Sequence, residues 1–166
     1  MARRQGVARR QGADAIKGAD YPVIRRPVIR FRTPEHIAAA LEVGRDDGVS
    51  FVLASARDAQ RAMGPALLRV IAAPALVWAG GPPVVIDCGD DAGGVMAALA
   101  AGWTELSFDG APGLRIKLAQ IAAQRGVRLL TLDPARELVL RDEPDPAQAC
   151  RVFLQQCNDE SQRGIS

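Results

Sequence analysis

Pro82-Pro83-Val84-Val85-Ile86-Asp87-Cys88-Gly89-Asp90-Asp91 is the stretch on which the fold turns. Three consecutive β-branched residues show no two-residue alternation, the pattern of a strand covered on both faces at the centre of a parallel sheet. The two prolines reset the chain before it, and the Asp and Gly residues after it mark the loop into a helix. The same pattern repeats on both sides. Downstream, Val95, Ala98 and Leu99 form one helical face ending at Gly102, Trp103 to Phe108 reads as a strand, and Leu114, Leu118 and Ile121 define another helix. That helix ends at Arg125-Gly126 and gives way to the strand Val127 to Leu132. Upstream, Val28 to Phe31 is a short strand, Thr33 an N-cap, Pro34 a first-turn residue and Glu35 an acid at the positive helix end. Ile37, Ala40, Leu41 and Gly44 share a face of that helix, Asp46-Asp47-Gly48 ends it, and Val49 to Ala54 is the next strand. Arg57 to Gly80 is helical in composition but interrupted by Gly64-Pro65 and by Pro74.

This alternation predicts an α/β protein: a parallel five-stranded sheet with alternating helices, either half-TIM-barrel-like or open and flavodoxin-like. Residues 1–26 read as a basic, disordered leader, 27–134 as the α/β domain, 135–158 as a C-terminal strand and helix packed on it, and 159–166 as a flexible tail. Residues 137–140 could add a strand. Asp145-Pro146 opens the last helix, with Ala149, Val152, Phe153 and Gln156 expected on its inner side and Cys150, Leu154 and Cys157 beside them.

Of 166 residues, 48% are apolar and 24% charged, enough to bury a core, while no apolar run reaches the roughly 20 residues that span a bilayer. With no secretory pattern at the N-terminus, the expected location is cytoplasmic, away from membranes. Three cysteines without a C-x-x-C pair exclude a disulfide framework and a zinc ribbon, and a single His excludes a His-rich metal site. The formal charge of +2 combines two opposed parts. Residues 1–32 hold nine basic and two acidic residues, net +7, leaving 12 basic and 17 acidic in the remainder, net −5. The first segment also contains Ala-Arg-Arg-Gln-Gly twice, at 2–6 and 8–12, and Pro-Val-Ile-Arg twice, at 22–25 and 27–30, periods too short for a solenoid.

In parallel α/β sheets the loops leaving the strands converge on one edge. Here that edge is acidic: Asp87, Asp90, Asp91, Asp109 and Asp133 follow successive strands, with Ser55 after an earlier one. Such carboxylates cap helices and make turns, but could also hold a divalent metal or supply an acid and a base. Gly89 to Gly94 misses the dinucleotide spacing, the chain lacks a G-x-x-x-x-G-K-[ST] loop, and the acidic pair and Lys of a receiver domain are missing. Nucleophilic catalysis by Cys88 would need His36 as base, yet His36 sits in a first helical turn and reads as a surface or cap-proximal residue.

Pro83-Val84-Val85-Ile86-Asp87-Cys88-Gly89, then Ala98-Leu99-Ala100-Ala101-Gly102-Trp103-Thr104, then Leu106-Ser107-Phe108-Asp109-Gly110 and Ile121 to Val127 follow one another as in a known family. From about residue 30 to 133 this order resembles the first five βα units of class II, metal-dependent fructose- and tagatose-bisphosphate aldolases, which are TIM barrels. The resemblance implies that Asp87 stands at the catalytic carboxylate and Cys88 where a metal-binding His would be. Asp133 ends a strand where the family is Glu-rich, and the chain stops before the strands that carry the remaining metal ligands. Because the aldolase reaction needs that metal to polarise a carbonyl, the resemblance implies a relative without the activity.

The expectation is therefore a binding or scaffolding module with no cofactor, self-associating or held by a protein partner because a half-barrel exposes two sheet edges. A second reading is a divalent-metal-dependent lyase or hydrolase, with Asp87 and Asp109 catalytic and Asp87, Cys88 and Asp133 as ligands. A third is a nucleic-acid adaptor acting through Arg3, Arg4, Arg9 and Arg10.

Overall fold

The computed structural model describes residues 22–164. In chain order they form β1 (Val23–Ile24), β2 (Val28–Phe31), α1 (Pro34–Asp47), β3 (Val52–Ser55), α2 (Ala59–Ile71), α3 (Ala73–Leu76) and β4 (Val84–Asp87). There follow α4 (Ala92–Ala100), β5 (Glu105–Ser107), α5 (Pro112–Gln124), β6 (Arg128–Leu132), a 3-10 turn (Pro134–Arg136), β7 (Glu137–Val139) and α6 (Pro146–Arg163). Every ladder is parallel, in the order β1-β6-β5-β4-β3-β2-β7. The class is α/β, with helices alternating along a curled sheet of seven strands, not five. The additional strands are β7 and β1, and β1 falls within the segment read as a leader. Arg3, Arg4, Arg9 and Arg10 lie outside the described residues.

The curl follows from chain length. β1 pairs with β6 while β2, starting four residues after Ile24, pairs with β3 at the other side of the row. In a flat sheet those positions would be five strand spacings apart, about 24 Å. Four Cα steps reach at most about 15 Å. The sheet must therefore curl until β1 and β2 come within that reach, as in a half-barrel and not as in the open, flavodoxin-like alternative. β6 and β7 run beside β1 and β2 in the same way: Leu132 lies opposite Ile24 and Glu137 opposite Val28, with the Pro134–Arg136 turn absorbing the extra residue. Arg136 seals this seam, its Nη1 donating to the Arg25 carbonyl at 3.1 Å and its Nη2 to Ser161 Oγ at 3.2 Å. β1 thus covers the edge of β6, and β7 covers the edge of β2. The edge strands of the sheet are therefore β1 and β7 rather than β6 and β2.

The duplicated Pro-Val-Ile-Arg tetrapeptide supplies both β1 and β2. Its offset of five residues is odd, so the two copies turn opposite residues inward. Ile24 of the first copy and Val28 of the second join Val52, Ala54, Val85, Leu130 and Leu132 inside the curl. Ile29 of the second copy faces outward with Phe31, Leu53, Ile86, Leu106 and Leu129 into the larger core beneath the helices.

The helices sit where their signals place them. Thr33 caps α1, its Oγ1 accepting from the His36 amide, and Gly48 ends it at φ 61°. Gly44 lets α1 approach Phe51, since a Cβ there would stand 2.8 Å from the ring. Asp91 caps α4, accepting from the Gly94 amide at 3.0 Å. α2 breaks at Gly64 (φ 77°, ψ 155°), and the freed Pro65 carbonyl accepts from the buried Trp103 indole at 2.9 Å. α6 reaches Arg163, into the span read as a tail, and its inner face is Cys150, Leu154 and Cys157, whereas Val152 is 41% exposed. The face expected from the sequence is displaced because α6 packs chiefly on α1, whose position the local pattern does not reveal. No helix among the described residues is long and apolar enough to cross a membrane.

Replacing Arg136 with Ala should lower unfolding free energy by about 1–2 kcal/mol, the scale of a few partly exposed charged hydrogen bonds. It should also speed exchange of the Thr131 amide, which donates across the seam to the Pro22 carbonyl. Urea unfolding and hydrogen exchange measure the two effects.

Candidate binding site at the mouth of the sheet

The inward positions of the strands change character towards their C-terminal ends. Above Val28, Val52 and Val85 come Arg30 on β2 and Asp87 on β4, and from the seam Glu137 on β7. Arg30, 1% exposed, donates through Nε to Glu137 Oε2 at 2.6 Å and through Nη1 to Asp87 Oδ2 at 2.6 Å and the Ser55 carbonyl at 3.0 Å. Asp87 is held further: its Oδ1 accepts from the Gly89 amide and its own amide donates to Ser55 Oγ, both at 2.9 Å. Buried ionised groups persist when they are paired and hydrogen-bonded, and each of these three is paired. Arg57, at the start of the loop after β3, extends the chain of charges, reaching Glu137 Oε1 at 3.2 Å and Asp109 Oδ2 at 3.8 Å. Burial alone would lower the Arg57 value, but the hydrogen bond and charge of Glu137, with Asp87 and Asp109, raise it above that of a free guanidinium.

Two cavities open on this layer and share Arg30 and Arg57. The larger, about 630 Å³, is bounded by Arg32, Thr33, His36, Asp58, Glu137 and Arg141, among others. The smaller, about 30 Å³, lies over β5 and β6 and is lined by Asp87, Ser107, Asp109, Arg115, Thr131 and Leu130, among others. Arg115 donates to Thr131 Oγ1 at 2.7 Å. Ser107 is 5% exposed and its Oγ has no hydrogen-bond partner among the described residues, while its neighbour Leu106 is packed in the outer core. An unpartnered buried hydroxyl costs about 1–3 kcal/mol.

The residues singled out from the sequence are dispersed. Asp87 belongs to the mouth, but both its oxygens are engaged as acceptors. Asp109 stands at the lip, 58% exposed. Cys88 packs in the helix-side core, one alternation step away from Asp87, and burial first, then the charges of Asp87 and Asp91, push its thiol up to about 12. Asp133 caps the 3-10 turn, accepting from the Ala135 amide at 2.9 Å. Asp90 pairs with Arg61 on the surface. Asp87, Cys88 and Asp133 therefore do not converge, and among the described residues no group of three or more His, Cys, Asp and Glu could hold a metal ion. His36 is cap-proximal and buried. Its Nδ1 accepts from the Arg32 amide at 3.2 Å, which leaves the proton on Nε2 to donate to the Arg141 carbonyl at 3.0 Å, so neither nitrogen serves Cys88 as a base.

Arg30, Arg57, Glu137, Ser107 and Arg115 were missed in the sequence. Arg30 had a signal: a charged residue two positions from Val28, on the same face of an otherwise apolar strand. Glu137 and Arg57 had none, because Glu137 meets Arg30 only once β7 pairs with β2, and Arg57 meets Glu137 only then.

No family model matches the chain, and no curated protein matches it. The likeness to class II aldolases rests on the quoted segments alone.

Truncating Arg30 to Met should cost about 3–5 kcal/mol of stability, the penalty for stranding buried carboxylates, as read from urea unfolding. A buried thiol held above the ordinary 9.0 contributes fully below pH 9 and loses that contribution as pH rises towards its folded value. Stability should therefore fall between pH 9 and about 12 through Cys88, and between pH 9 and about 11 through Cys150, whose thiol is also raised by burial. Cys88→Ala should flatten that slope in an alkaline unfolding titration.

Proposed function

We propose that this protein is a non-catalytic binding module that takes a small, polar ligand at the C-terminal mouth of its curled sheet, without aldolase activity and without a resident metal. One observation carries the reading: a saturated layer of buried charge, Arg30 with Asp87 and Glu137, forms the floor of two cavities, while Ser107 beside it keeps an unpartnered hydroxyl. Buried polar atoms are normally satisfied, and one that opens on a cavity has its partner in whatever fills that cavity. The lining argues for a polar occupant. Arginines and carboxylates recur around it, and the lining of the larger cavity includes no Phe, Tyr or Trp.

Catalysis by this layer is disfavoured by the same contacts. A general acid or base must reach a substrate with a free oxygen. Asp87 spends Oδ1 on the Gly89 amide and Oδ2 on Arg30, and Glu137 spends both oxygens on arginines. The metal-dependent lyase or hydrolase reading loses its ligand set for the reason given above.

Thermal unfolding in the presence of small polar compounds, and separately of Zn²⁺, Mn²⁺ and Mg²⁺, tests the proposal. Some of the compounds should raise the melting temperature by several degrees, the effect disappearing in Arg57→Ala, and the metals should not. A metal-dependent rise that Asp87→Asn abolishes would sink the non-catalytic reading. Stabilisation by compounds that survives Arg57→Ala would move the site elsewhere.

A further inference from the structure

We propose that the outer face of α2, α3 and α4 is an interface between two copies of this chain, the helical stretch from Pro65 to Val77 lying antiparallel on its counterpart about a two-fold axis. The sequence supplies the first argument. Between Arg61 and Asp87 the only charged residue is Arg69, and between Asp91 and Glu105 there is none, although the chain as a whole is 24% charged. Low charge fits a buried segment, but much of this one is on the surface. Leu68, Ala72 and Ala75 face the core, while Leu67, Val70, Pro74 and Val77 are exposed, Val70 to 70% and Val77 to 81%. Their spacing of three, four and three residues is that of one stripe along a helix. Ala72 carries the chain from α2 into α3 in right-handed helical backbone, its amide donating to the Leu68 carbonyl and its carbonyl accepting from the Leu76 amide. α4 packs beside α2 and exposes Gly93, Met96, Ala97 and Ala100, mostly small residues that let a facing helix come close. The other outer helices present charge instead: Glu42 and Asp46 on α1, Lys117 on α5, Asp159 and Glu160 on α6.

Size and charge select a second copy as the occupant. The exposed apolar side chains of α2, α3 and α4 amount to on the order of 400 Å², within the range of surface patches that mark contacts. An interface at the low end of the standard size buries about 600 Å² on each partner, of which roughly 350–400 Å² is apolar. The face is thus the apolar part of one such interface. Residues 1–21 cannot supply its complement, because their only large apolar side chains are Met1, Val7, Ile16 and Tyr21, at a spacing that matches neither a helix nor a strand. A helix resting on lipid is flanked by Lys and Arg, and this stretch has Arg69 alone. Two copies, by contrast, bring identical stripes together. An antiparallel two-fold sets Leu67 of each copy against Val77 of the other and Val70 against Pro74. Arg69 lies aside, over Gly102 at the end of α4, so no like charges meet. The stripe occupies the C-terminal part of α2, whereas the mouth of the sheet lies by its N-terminal end, so the dimer leaves both cavities open and does not depend on what they bind.

The test is sedimentation velocity of the full chain from about 1 μM to 1 mM, with Leu67→Glu, Val77→Lys and an equimolar mixture of the two variants. The wild type should pass from monomer to dimer with a dissociation constant in the micromolar range, as suits an interface of this size. Each variant alone should dimerise at least tenfold more weakly, and the mixture should recover the dimer, because the antiparallel pairing sets the new Glu of one copy against the new Lys of the other. Both positions are exposed, and circular dichroism shows that the variants are folded. A wild type that stays monomeric at 1 mM, or single variants that dimerise as the wild type does, would overturn the proposal. A mixture that stays monomeric would overturn the antiparallel two-fold. A monomeric wild type whose melting temperature falls by several degrees in Leu67→Glu would give the face to another segment of the same chain, and one that binds phosphatidylcholine vesicles through Leu67 would give it to lipid; either result sinks the dimer.

Discussion

Everything in this fold depends on the distance that Arg25, Arg26 and Pro27 can span. Three residues cannot carry the chain across a flat sheet, so the strand on either side of them can pair with β6 and with β3 only if the sheet curls until β1 and β2 come within that reach. Right-handed crossover units and strand twist already bias a parallel sheet towards curling. The short link converts that bias into a requirement, and β7, laid beside β2 after one 3-10 turn, doubles the seam.

Bending the sheet creates an interior, and an interior this narrow has room for few side chains. Its lower part is filled with Val, Ile, Leu and Ala. Its upper part holds Arg30 between two carboxylates that come from β4 and β7, strands 50 residues apart in the chain. Such a triad is weak as a source of stability, because desolvation offsets most of the Coulombic attraction, but it is strongly directional. It requires β2, β4 and β7 to hold one register relative to one another, and it sets the floor on which Ser107, Arg57, Arg115 and Asp109 are arranged. The mouth is thus polar by construction, while the opposite faces of the same strands are committed to apolar packing under the helices.

The aldolase resemblance looks different against this arrangement. The segment around Asp87 keeps the order of apolar run, Asp and Gly, but its carboxylate is locked into a structural ion pair and the next residue, Cys88, is turned into the helix-side core. The same short pattern can therefore serve packing and closure where the resemblance implied catalysis, and the site's open groups lie one and two strands further along, on β5 and β6.

Much of the molecule was legible in one dimension. Local terms dominate at Thr33, Gly48, Gly64-Pro65, Asp91 and Asp145-Pro146, where caps and breakers act on their own neighbours, and at Val84-Val85-Ile86, where an unbroken apolar run admits few readings. These determined the α/β class, the alternation and most helix limits. Tertiary structure alone decided the rest. Val23-Ile24 is too short to announce itself as a strand and becomes one only because Thr131 and Leu132 lie alongside. The face that α6 buries is chosen by α1, and the partners of Asp87 are chosen by the pairing of β2, β3 and β4. Local sequence carries φ, ψ and amphipathic preferences, but the pairing of Arg30 with Asp87 and Glu137 is a contact across 57 and 107 residues, and only the pairing of β2 with β3 and β7, and of β3 with β4, brings those charges together.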